Sequence, residues 1–292
     1  MTKCAFIGLG VMGGPMAGHL SAAGHAVKVF NRSPEKADKW CAQHAGEMGQ
    51  TPGAAVQDAE FIFLCVGRDE DVVEVMTGPD GVLEQCSPDA IIIDHTTTSA
   101  YLARDMAMAS TQRGAYFLDA PVSGGEAGAV KGQLTVMVGG NRDAFERAEP
   151  VISHFAKSVR HMGDTGYGQL TKMVNQICIA GLLEGLSEGL HFAEQAGLDI
   201  AAVVDVIGKG AAQSWQMDNR ALTMRDNQFD FGFAVDWMRK DLSICLEEAN
   251  RNGASLPVTE LVDGYYAEVQ RMGGARWDTS SLIARLRAKR DG

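Results

Sequence analysis

The first half of the chain alternates short apolar runs with segments of helical periodicity. The apolar runs predict strands over Lys3–Ile7, Ala26–Phe30, Phe61–Val66, Ile91–Asp94, Tyr116–Ala120 and Thr135–Val138. Helices are predicted over Pro15–Ala23 and over Pro34–His44, the second with Ser33 as its N-cap. Strands separated by helices require right-handed crossovers, so this half is predicted to form a parallel sheet with helices on both faces.

The strand pattern ends around Gly163–Gly168, and long helical periods follow. Leu170, Met173, Val174 and Ile177 recur at helical spacing, which predicts an apolar stripe on the first of these helices. Later helices are predicted over Ile200–Ile207, Trp215–Met224, Phe233–Asn250, Val258–Met272 and Ser280–Lys289.

Two domains follow from this change of pattern, and 292 residues are enough for two ordinary ones. The predicted fold class is α/β. Residues 1–164 are expected to form a doubly wound Rossmann sheet. Residues 165–292 are expected to form an all-α domain, joined to the first by a long helix.

Charge and cysteine usage exclude several classes of function. The formal net charge is −11, and phosphate neutralisation needs clustered Lys and Arg, so no nucleic-acid partner is expected. The one basic cluster, Arg285–Arg290, is interpreted as a solvated last helical turn. The six cysteines are scattered through apolar stretches without metal-ligand or redox spacing. They predict core thiols in a reducing compartment, and no metal site is expected.

Targeting signals and membrane spans are also not expected. No apolar run reaches the roughly 20 residues that a membrane helix needs. The first strand begins within a few residues of Met1, which leaves no room for a signal or transit peptide. The predicted location is cytoplasmic, with no membrane partner.

The first chemical motif is the glycine turn Gly8-Leu9-Gly10-Val11-Met12-Gly13. It follows a strand and opens a helix, which is the context of a dinucleotide-binding turn. The first glycine permits the turn, the second lets the backbone approach a pyrophosphate, and the third lets the helix pack on the strand. The pyrophosphate would then lie at a helix N-terminus. Met12 either contacts the cofactor or packs the helix, and the sequence favours neither.

The residues after the second strand bear on which dinucleotide binds. NAD-selective sites usually carry Asp or Glu there, whereas this chain has Asn31, Arg32 and Ser33. Arg32 could pair with a 2′-phosphate through charge-assisted hydrogen bonds. We therefore expect NADP(H) to be preferred, with NAD(H) possible. The alternative is that Arg32 is a solvated loop residue.

Four blocks of the sequence carry distinctive motifs. The first block is Phe6-Ile7-Gly8-Leu9-Gly10-Val11-Met12-Gly13-Gly14-Pro15-Met16, and the second is Asp119-Ala120-Pro121-Val122-Ser123-Gly124-Gly125. The third runs from Gly166 to Gln176, and the fourth is Lys240-Asp241-Leu242. Together the blocks resemble the β-hydroxyacid dehydrogenases, a family that includes 3-hydroxyisobutyrate dehydrogenase, tartronate semialdehyde reductase and glyoxylate/succinate semialdehyde reductases. They occur in the family's order and span nearly the whole chain.

The resemblance implies roles for individual residues. It implies a catalytic lysine at Lys172 and a substrate-contacting asparagine at Asn175. It also implies nicotinamide-side contacts at Thr96 and Lys240, and an adenosine-side loop at Cys65-Val66-Gly67. Two positions depart from the pattern: Gly67 stands where many relatives have proline, and His95 where many have methionine. These departures put the stiffness of the loops in doubt.

The residue types also suit the chemistry by themselves. Lys172 and Asn175 are three apart, so they share a helix face, and Lys172 can exchange the substrate's hydroxyl proton. Asn175 can bind the substrate oxygen. Ser123, Gly124 and Gly125 follow a strand end and offer a hydroxyl and backbone amides to a carboxylate.

Lys240 and Trp215 are further candidates for the substrate site. Lys240 is predicted to contact the substrate as well as the cofactor. Trp215 either forms a pocket wall that limits substrate size or anchors the packing of the domain, and the sequence favours neither. Trp237 carries the same ambiguity.

The predicted function is hydride transfer between NADP(H), or NAD(H), and a small carboxylate-bearing 3-hydroxy acid or semialdehyde acid, with Lys172 as general acid and base. One alternative is an aldehyde reductase for glyoxylate or succinate semialdehyde. Another is a cofactor-binding scaffold or sensor without turnover. By family analogy, the all-α half supports a homodimer or homotetramer.

Overall fold

The computed structural model describes residues 1–288. Lys289, at the end of the last predicted helix, and Arg290 of the basic cluster lie outside the described residues. The chain forms two compact units, one from Met1 to Lys172 and one from Met173 onward. The predicted boundary at residues 164 and 165 stays a prediction.

Nine strands of the described chain form one sheet in the first unit. They are β1 (Lys3–Ile7), β2 (Ala26–Phe30), β3 (Glu47–Met48), β4 (Phe61–Leu64), β5 (Ile91–Asp94), β6 (Tyr116–Asp119), β7 (Val122–Ser123), β8 (Leu134–Gly140) and β9 (Ala156–Gly163). Their order is β3-β2-β1-β4-β5-β6-β8-β7, with β9 pairing to β8. All six predicted strands are present, and two of them end one or two residues earlier than predicted.

Helices connect the strands of this unit. They are α1 (Gly13–Ala22), α2 (Pro34–Cys41), α3 (Pro52–Val56), α4 (Asp69–Thr77), α5 (Val82–Gln85), α6 (Ala100–Thr111), α7 (Gly125–Val130) and α8 (Arg142–Ile152). Ser33 occupies the predicted N-cap of α2, but its side chain makes no capping hydrogen bond there. Pro34 starts the helix with a fixed φ, which suits the first helical position.

The sheet is parallel from β3 to β6, whereas β8 runs antiparallel to β6 and β7. The predicted parallel sheet is thus present from β3 to β6, and the sequence did not predict the antiparallel pairings of β8. Only the short helix α7 separates β7 from β8, and an antiparallel return needs no long crossover. β9 then runs parallel to β8 after the longer helix α8. Its mixed polar and apolar residues, most of them half-buried or exposed, give β9 no buried-strand pattern, which is why the sequence did not predict it.

Side chains of the central strands alternate between two hydrophobic layers, as the period of a strand requires. On one face, Phe6 and Phe63 stack with their ring centroids 5.8 Å apart. On the other, Ile7 and Leu64 pack among a second buried cluster. Helices therefore cover both faces of the sheet, which confirms the doubly wound prediction.

The second half of the chain is helical in the described residues. Its helices are α9 (Tyr167–Gln195), α10 (Ile200–Ile207), α11 (Trp215–Arg225), α12 (Val235–Asn252), α13 (Pro257–Arg271) and α14 (Leu282–Ala288), with a 3₁₀ turn at Thr279–Ser281. The division between the two compact units falls within α9. The long joining helix predicted from the sequence is thus present.

The buried side of α9 differs from the predicted apolar stripe. Val174 is 61% exposed, whereas Gln169 and Gln176 are buried. Burial of these amides is tolerable because each makes hydrogen bonds, Gln169 to Thr96 and Thr98 and Gln176 to Asp241. A pattern of apolar residues alone could not identify a helix face buried through polar contacts.

The basic C-terminal cluster is also not the solvated turn that was expected. Arg285 is 4% exposed, and its guanidinium donates to Glu184 Oε1 at 2.6 Å. The guanidinium also lies over the ring of Tyr265, 3.6 Å from its centroid. Arg287 pairs with Glu194. These pairs compensate the desolvation of the arginines and fasten α14 to α9.

Candidate active site

The glycine turn between β1 and α1 uses its three glycines for different reasons. Gly8 has φ +97°, and a Cβ there would clash with the carbonyl oxygen of Cys65. A Cβ on Gly13 would clash with the carbonyl oxygen of Gly8. In contrast, a Cβ on Gly10 would have no atom within 4 Å. Packing therefore requires the first and third glycines, whereas the second borders open space at the start of a helix.

Asn31, which follows β2, makes hydrogen bonds to this turn. Its Oδ1 accepts the backbone N–H of Leu9 at 2.9 Å, and its Nδ2 donates to the carbonyl oxygen of Ser33 at 3.1 Å. The side chain therefore joins the glycine turn to the loop that carries Arg32.

Arg32 is itself engaged by two carboxylates of α4. Its Nη1 lies 3.1 Å from Asp71 Oδ1 and 3.7 Å from Glu74 Oε2. The Arg32 side chain is 77% exposed, so the pairs hold it only weakly. The cation that would receive a 2′-phosphate thus has two competing anions beside it.

The loop after β4 is tied to the loop after β5. The N–H of Val66 donates to Thr96 Oγ1 at 3.1 Å, and the N–H of Thr96 donates to Asp94 Oδ1 at 2.9 Å. Since β1, β4, β5 and β6 are parallel, these loops and the glycine turn lie at one edge of the sheet. The residues of the first unit that were predicted to bind the cofactor therefore lie at that edge, which is where ligands of such sheets bind, whereas Lys240 belongs to the second unit.

Two buried carboxyls stand at the same edge, on neighbouring strands. Asp94 and Asp119 are Cα partners across β5 and β6, and both are buried. Burial raises the pKa of Asp94 to about 7, although Thr96 donates hydrogen bonds to it. Burial also raises the pKa of Asp119 to about 6, although backbone N–H groups, led by that of Gly166, oppose the rise.

Asp119 meets the N-terminus of α9, the helix that carries Lys172. Its Oδ1 accepts the N–H of Gly166 at 2.7 Å, and its Oδ2 accepts the N–H of Gln169 at 2.9 Å. The Gln169 side chain accepts the N–H of Thr98 at 3.1 Å and donates to the carbonyl oxygen of Thr96 at 2.7 Å. Lys172, one turn further on, is 8% exposed.

His95, which stands where many members of the family have methionine, makes a hydrogen bond and a ring contact in the same region. Its Nδ1 lies 2.6 Å from the carbonyl oxygen of Ala120, and its ring stacks on Phe63 at 5.9 Å. Burial lowers the pKa of His95 to about 4, so the ring is neutral near pH 7 and donates from Nδ1. It thereby joins the end of β5 to the segment that leads to Ser123.

The predicted carboxylate loop begins at β7 and continues into α7. Ser123 pairs with Thr135 of β8, which fixes its backbone. Gly124 and Gly125 have φ +131° and +60°, a region that favours glycine. Both glycines are exposed, so their backbones are accessible to a ligand.

In the second unit, a hydrogen-bonded chain links two predicted site residues. Asn175 Nδ2 donates to Gln176 Oε1 at 2.7 Å, and Gln176 Nε2 donates to Asp241 Oδ2 at 2.7 Å. The other carboxylate oxygen of Asp241 lies 3.0 Å from Lys240 Nζ. Asn175 on α9 and Lys240 on α12 are thus brought together through Gln176 and Asp241.

Trp215 starts α11 and is 51% exposed. The Arg220 guanidinium lies over its ring at 4.9 Å from the centroid, and over the Phe231 ring at 4.8 Å. Arg220 Nε also donates to Asp278 Oδ1 at 3.2 Å. The half-exposed indole is thus held by a cation–π contact rather than by burial.

Several residues of these networks had no role in the sequence prediction. They are Asp71, Asp94, Asp119, Gln169, Gln176 and Asp241. A signal for the two glutamines was present: with Lys172 between them, they recur at spacings of three and four on α9, as residues on one helix face do.

Residues 1–288 contain no group of three or more His, Cys, Asp or Glu arranged to hold a metal ion. Within the same range, no helix has the length and apolar character of a membrane span.

Family models match both halves of the chain. Residues 3–163 match the model described as the NAD binding domain of 6-phosphogluconate dehydrogenase. Residues 166–286 match the model described as the NAD-binding domain of NADP-dependent 3-hydroxyisobutyrate dehydrogenase.

Curated relatives align over nearly the whole chain. An uncharacterized oxidoreductase of Shewanella frigidimarina is 56% identical, with 99% of this chain and 100% of that protein covered. The 2-hydroxy-3-oxopropionate reductase of Escherichia coli strain K12 is 34% identical, with 97% of each chain covered. The 3-hydroxyisobutyrate dehydrogenase of Pseudomonas aeruginosa is 33% identical over 91% of this chain and 92% of that one.

Solved structures have the same fold. The 3-hydroxyisobutyrate dehydrogenase of Mycobacterium tuberculosis with L-serine has a TM-score of 0.89 and 31% identity, covering 98% of this chain and 99% of that one. A protein named Psf3, in complex with NADP⁺ and 2-OPP, has a TM-score of 0.88 and 28% identity, covering 97% and 99%. With both family models and these full-length relatives in agreement, the chain belongs to the β-hydroxyacid dehydrogenase family of NAD(P)-dependent oxidoreductases.

Proposed function

We propose that the chain interconverts a small 3-hydroxy acid and the corresponding semialdehyde acid with NADP(H), using Lys172 as general acid and base. The burial of Lys172, on a helix anchored at the cofactor edge of the sheet, is the observation that carries the proposal. Lysine is rarely buried without a specific interaction. A lysine held in this way suits proton exchange with a bound substrate.

The residues at the glycine turn fit a dinucleotide. Gly10 borders open space where any larger side chain would intrude on a pyrophosphate, and the turn opens the helix α1. Asn31 hydrogen-bonds the turn at Leu9, and the carbonyl oxygen of Cys65 lies beside Gly8. The nicotinamide, when bound, supplies or accepts the hydride.

Lys172 and Asn175 have different proposed roles at the substrate oxygen: Lys172 exchanges its proton, and Asn175 binds it. In oxidation, the neutral Lys172 amine would accept the proton of the substrate hydroxyl. In reduction, the Lys172 ammonium returns the proton to the carbonyl oxygen. Asn175 binds that oxygen, and its orientation is supported by Gln176.

The substrate class follows from a carboxylate subsite. The Ser123 hydroxyl and the backbone amides of Gly124 and Gly125 would bind the carboxylate, with Lys240 contributing a cation. The names of the relatives, a 3-hydroxyisobutyrate dehydrogenase and a 2-hydroxy-3-oxopropionate reductase, support small acids of this kind. Trp215, half exposed beside Arg220, is proposed to limit the size of the substrate side chain.

The proposed preference for NADP(H) rests on Arg32 and on the absence of Asp or Glu among Asn31, Arg32 and Ser33. A bound NADP⁺ in the related Psf3 complex supports it. Asp71 and Glu74 oppose it, since each competes for the guanidinium. A modest preference is therefore proposed, with NAD(H) still accepted.

The test is a substrate panel run in both directions with NADP(H) and NAD(H). The panel contains 3-hydroxyisobutyrate, serine, 2-hydroxy-3-oxopropionate, glyoxylate and succinate semialdehyde. Lys172→Ala should lower kcat by about 10²- to 10⁴-fold on the best substrate. Lys157→Ala, which removes an exposed lysine of β9, is the control and should retain the wild-type rate. Equal rates for Lys172→Ala and wild type would refute the role of Lys172.

The same panel decides between the two alternatives. Turnover of only glyoxylate or succinate semialdehyde would favour the aldehyde reductase. Tight cofactor binding without turnover of any substrate would favour a scaffold or sensor.

We also propose that the unit starting at Met173 mediates a homodimer or homotetramer. Two of its large apolar side chains, Phe192 and Val206, are 70% and 69% exposed, and an interface between subunits would remove such side chains from water. Light scattering coupled to size-exclusion chromatography measures the mass directly. A single monomer mass at micromolar concentration would refute the proposal.

A further inference from the structure

We propose that Asp119 and Gln169 are positioning residues that fix the place of Lys172 relative to the cofactor-binding loops. The proposal rests on the role of Lys172 proposed above. It is carried by the hydrogen bonds that surround the first turn of α9, all of which lie within the first compact unit.

Asp119 acts on the end of the helix. The first N–H groups of a helix have no partner within it, and a buried helix end needs acceptors from elsewhere. The completely buried carboxylate of Asp119 accepts two such groups, from Gly166 and Gln169, one on each oxygen. A negative charge at this end also complements the helix dipole.

The helix start has little room to move against the strands. A Cβ on Gly139 of β8 would lie 2.6 Å from Asp119 Oδ1 and 2.8 Å from the nitrogen of Gly168. A Cβ on Gly168 would lie 2.5 Å from the carbonyl oxygens of Asp119 and Met137. The strand β8 and the start of α9 therefore touch each other and Asp119 at two positions, Gly139 and Gly168, that have no side chain. This close contact fixes the distance between the strand and the helix.

Gln169 sets the rotation of the same turn. Its amide group bridges two points of the loop after β5, accepting from Thr98 N–H and donating to Thr96 O. Thr96 Oγ1 in turn accepts the N–H of Val66 in the loop after β4. One hydrogen-bonded path thus runs from the predicted cofactor loop to the helix, and Gln169 is three residues from Lys172, on the same helix face.

A displacement of this turn would move the Lys172 amine with it. Misplacing a reacting group by about 1 Å can cost roughly 10²-fold in rate. Neither Asp119 nor Gln169 needs to touch the substrate to have this effect. Their loss should therefore lower kcat while leaving the affinity for the cofactor nearly unchanged.

The experiment uses Gln169→Met, which keeps the length of the side chain and removes both hydrogen bonds. The expected result is a kcat lower by about 10- to 100-fold. The dissociation constant for NADPH, measured by fluorescence titration, should change by less than about threefold. Gln112→Met, an exposed glutamine at the end of α6, is the matched control and should behave as wild type. A Gln169→Met enzyme with wild-type kcat would overturn the proposal.

A double-mutant comparison separates positioning from a general loss of structure. If Gln169 acts through Lys172, Gln169→Met should have almost no further effect on the residual rate of Lys172→Ala. A full additional loss would instead indicate a merely structural role and would overturn the proposal. If Lys172→Ala alone keeps the wild-type rate, the proposed function fails, and the two failures are thereby distinguished.

Hydrogen exchange gives a readout that does not depend on turnover. Asp119→Asn keeps one acceptor oxygen but turns an N–H donor toward the other helix amide. It should accelerate amide exchange in residues 166–172 and leave exchange in β1 and β4 as in wild type. Uniformly faster amide exchange over the first unit, or unchanged exchange in residues 166–172, would contradict the proposal that Asp119 holds the start of α9. Should this variant fail to fold, Gln169→Met still decides the matter.

Discussion

Asp94 and Asp119 stand side by side on β5 and β6 as Cα partners, with both carboxyls buried. Burial raises the pKa of Asp94 to about 7 and that of Asp119 to about 6, from an ordinary value of 3.8 for each. Both groups therefore bind protons more tightly in the folded chain than in the unfolded one. Two acids that share a buried edge of the sheet are a source of pH dependence in the stability.

The first prediction is that stability falls as the pH rises from about 4 to about 7. In this window Asp94 and Asp119 hold more protons in the folded state than in the unfolded state, so raising the pH favours unfolding through these two sites, whereas the lowered pKa of His95 acts in the opposite direction. Above pH 7 the contribution of Asp94 levels off, because it is then ionised in both states. Asp94→Asn cannot ionise and keeps an oxygen to accept the N–H of Thr96. It should be more stable than wild type at pH 8 by about 1–3 kcal/mol.

Thermal unfolding at pH 5, 6, 7 and 8 measures this difference. The gap between Asp94→Asn and wild type should widen with pH. The neighbouring acid Asp69 stays in place in both proteins, bonded to Ser99. Asp58→Asn, at a side chain that is 80% exposed, serves as the control. Melting curves for wild type and Asp94→Asn that run parallel across the pH range would contradict the prediction.

The second prediction concerns the ion pair between Arg32 and Asp71. Arg32→Ala should weaken the binding of 2′,5′-ADP by about tenfold and leave the binding of ADP unchanged, since only the former carries the 2′-phosphate. Asp71→Asn removes a competing anion, so it should strengthen the binding of 2′,5′-ADP severalfold.

Isothermal titration calorimetry with the two nucleotides measures both effects. The matched control is Arg142→Ala, another exposed arginine, whose ion-pair partner Glu146 lies four residues away. If Arg32→Ala lost affinity equally for both nucleotides, Arg32 would not bind the 2′-phosphate. The proposed preference for NADP(H) would then fail.

The third prediction separates stability from cofactor binding at the glycine turn. Gly10→Ala should fold with nearly wild-type stability, because its Cβ has no neighbour within 4 Å, but should bind NADPH at least tenfold more weakly. Gly8→Ala should be strongly destabilised, because it combines a positive φ with a clash against Cys65.

Melting temperature and cofactor affinity, measured on the same preparations, test this contrast. Gly24→Ala is a control for the cost of a positive φ alone, since a Cβ there would have no neighbour within 4 Å. An unchanged affinity in Gly10→Ala would mean that the cofactor does not use this space.

The strands and the glycine turn of the first unit could be predicted from the sequence because each has a local pattern. The strands β1, β4 and β5 are short, almost wholly apolar and buried on both faces, so a local pattern is enough to recognise them. The glycine turn is equally local. Its first and third glycines are required by contacts with Cys65, next to one neighbouring strand, and with Gly8, five residues away.

What the sequence did not predict depends on long-range polar contacts. Gln169, Gln176 and Arg285 are residue types that usually face solvent, yet all three are buried. The partners that their side chains hydrogen-bond on other elements lie between 65 and 101 residues away: Thr96 and Thr98 for Gln169, Asp241 for Gln176 and Glu184 for Arg285. No periodicity reveals such partners. The predicted stripe around Val174 was wrong for this reason, and so was the solvated turn at Arg285.

The last prediction concerns the chain of hydrogen bonds from Asn175 to Lys240. Gln176→Leu removes its middle link and leaves Asp241, which is 1% exposed, without the N–H that it accepts. A buried acceptor that loses its partner costs about 1–3 kcal/mol. The melting temperature should therefore fall. Because Asn175 also loses the acceptor for its Nδ2, the KM for the acid substrate should rise by several-fold, more than kcat falls.

Gln195→Leu provides the comparison, since Gln195 is an exposed glutamine at the end of the same helix. Steady-state kinetics and thermal unfolding of the three proteins give both quantities. A drop in melting temperature with unchanged KM would assign Gln176 to the stability of the helical unit alone. A rise in KM confined to Gln176→Leu would instead mean that Asp241 and Gln176 hold Asn175 in the orientation that the substrate oxygen requires.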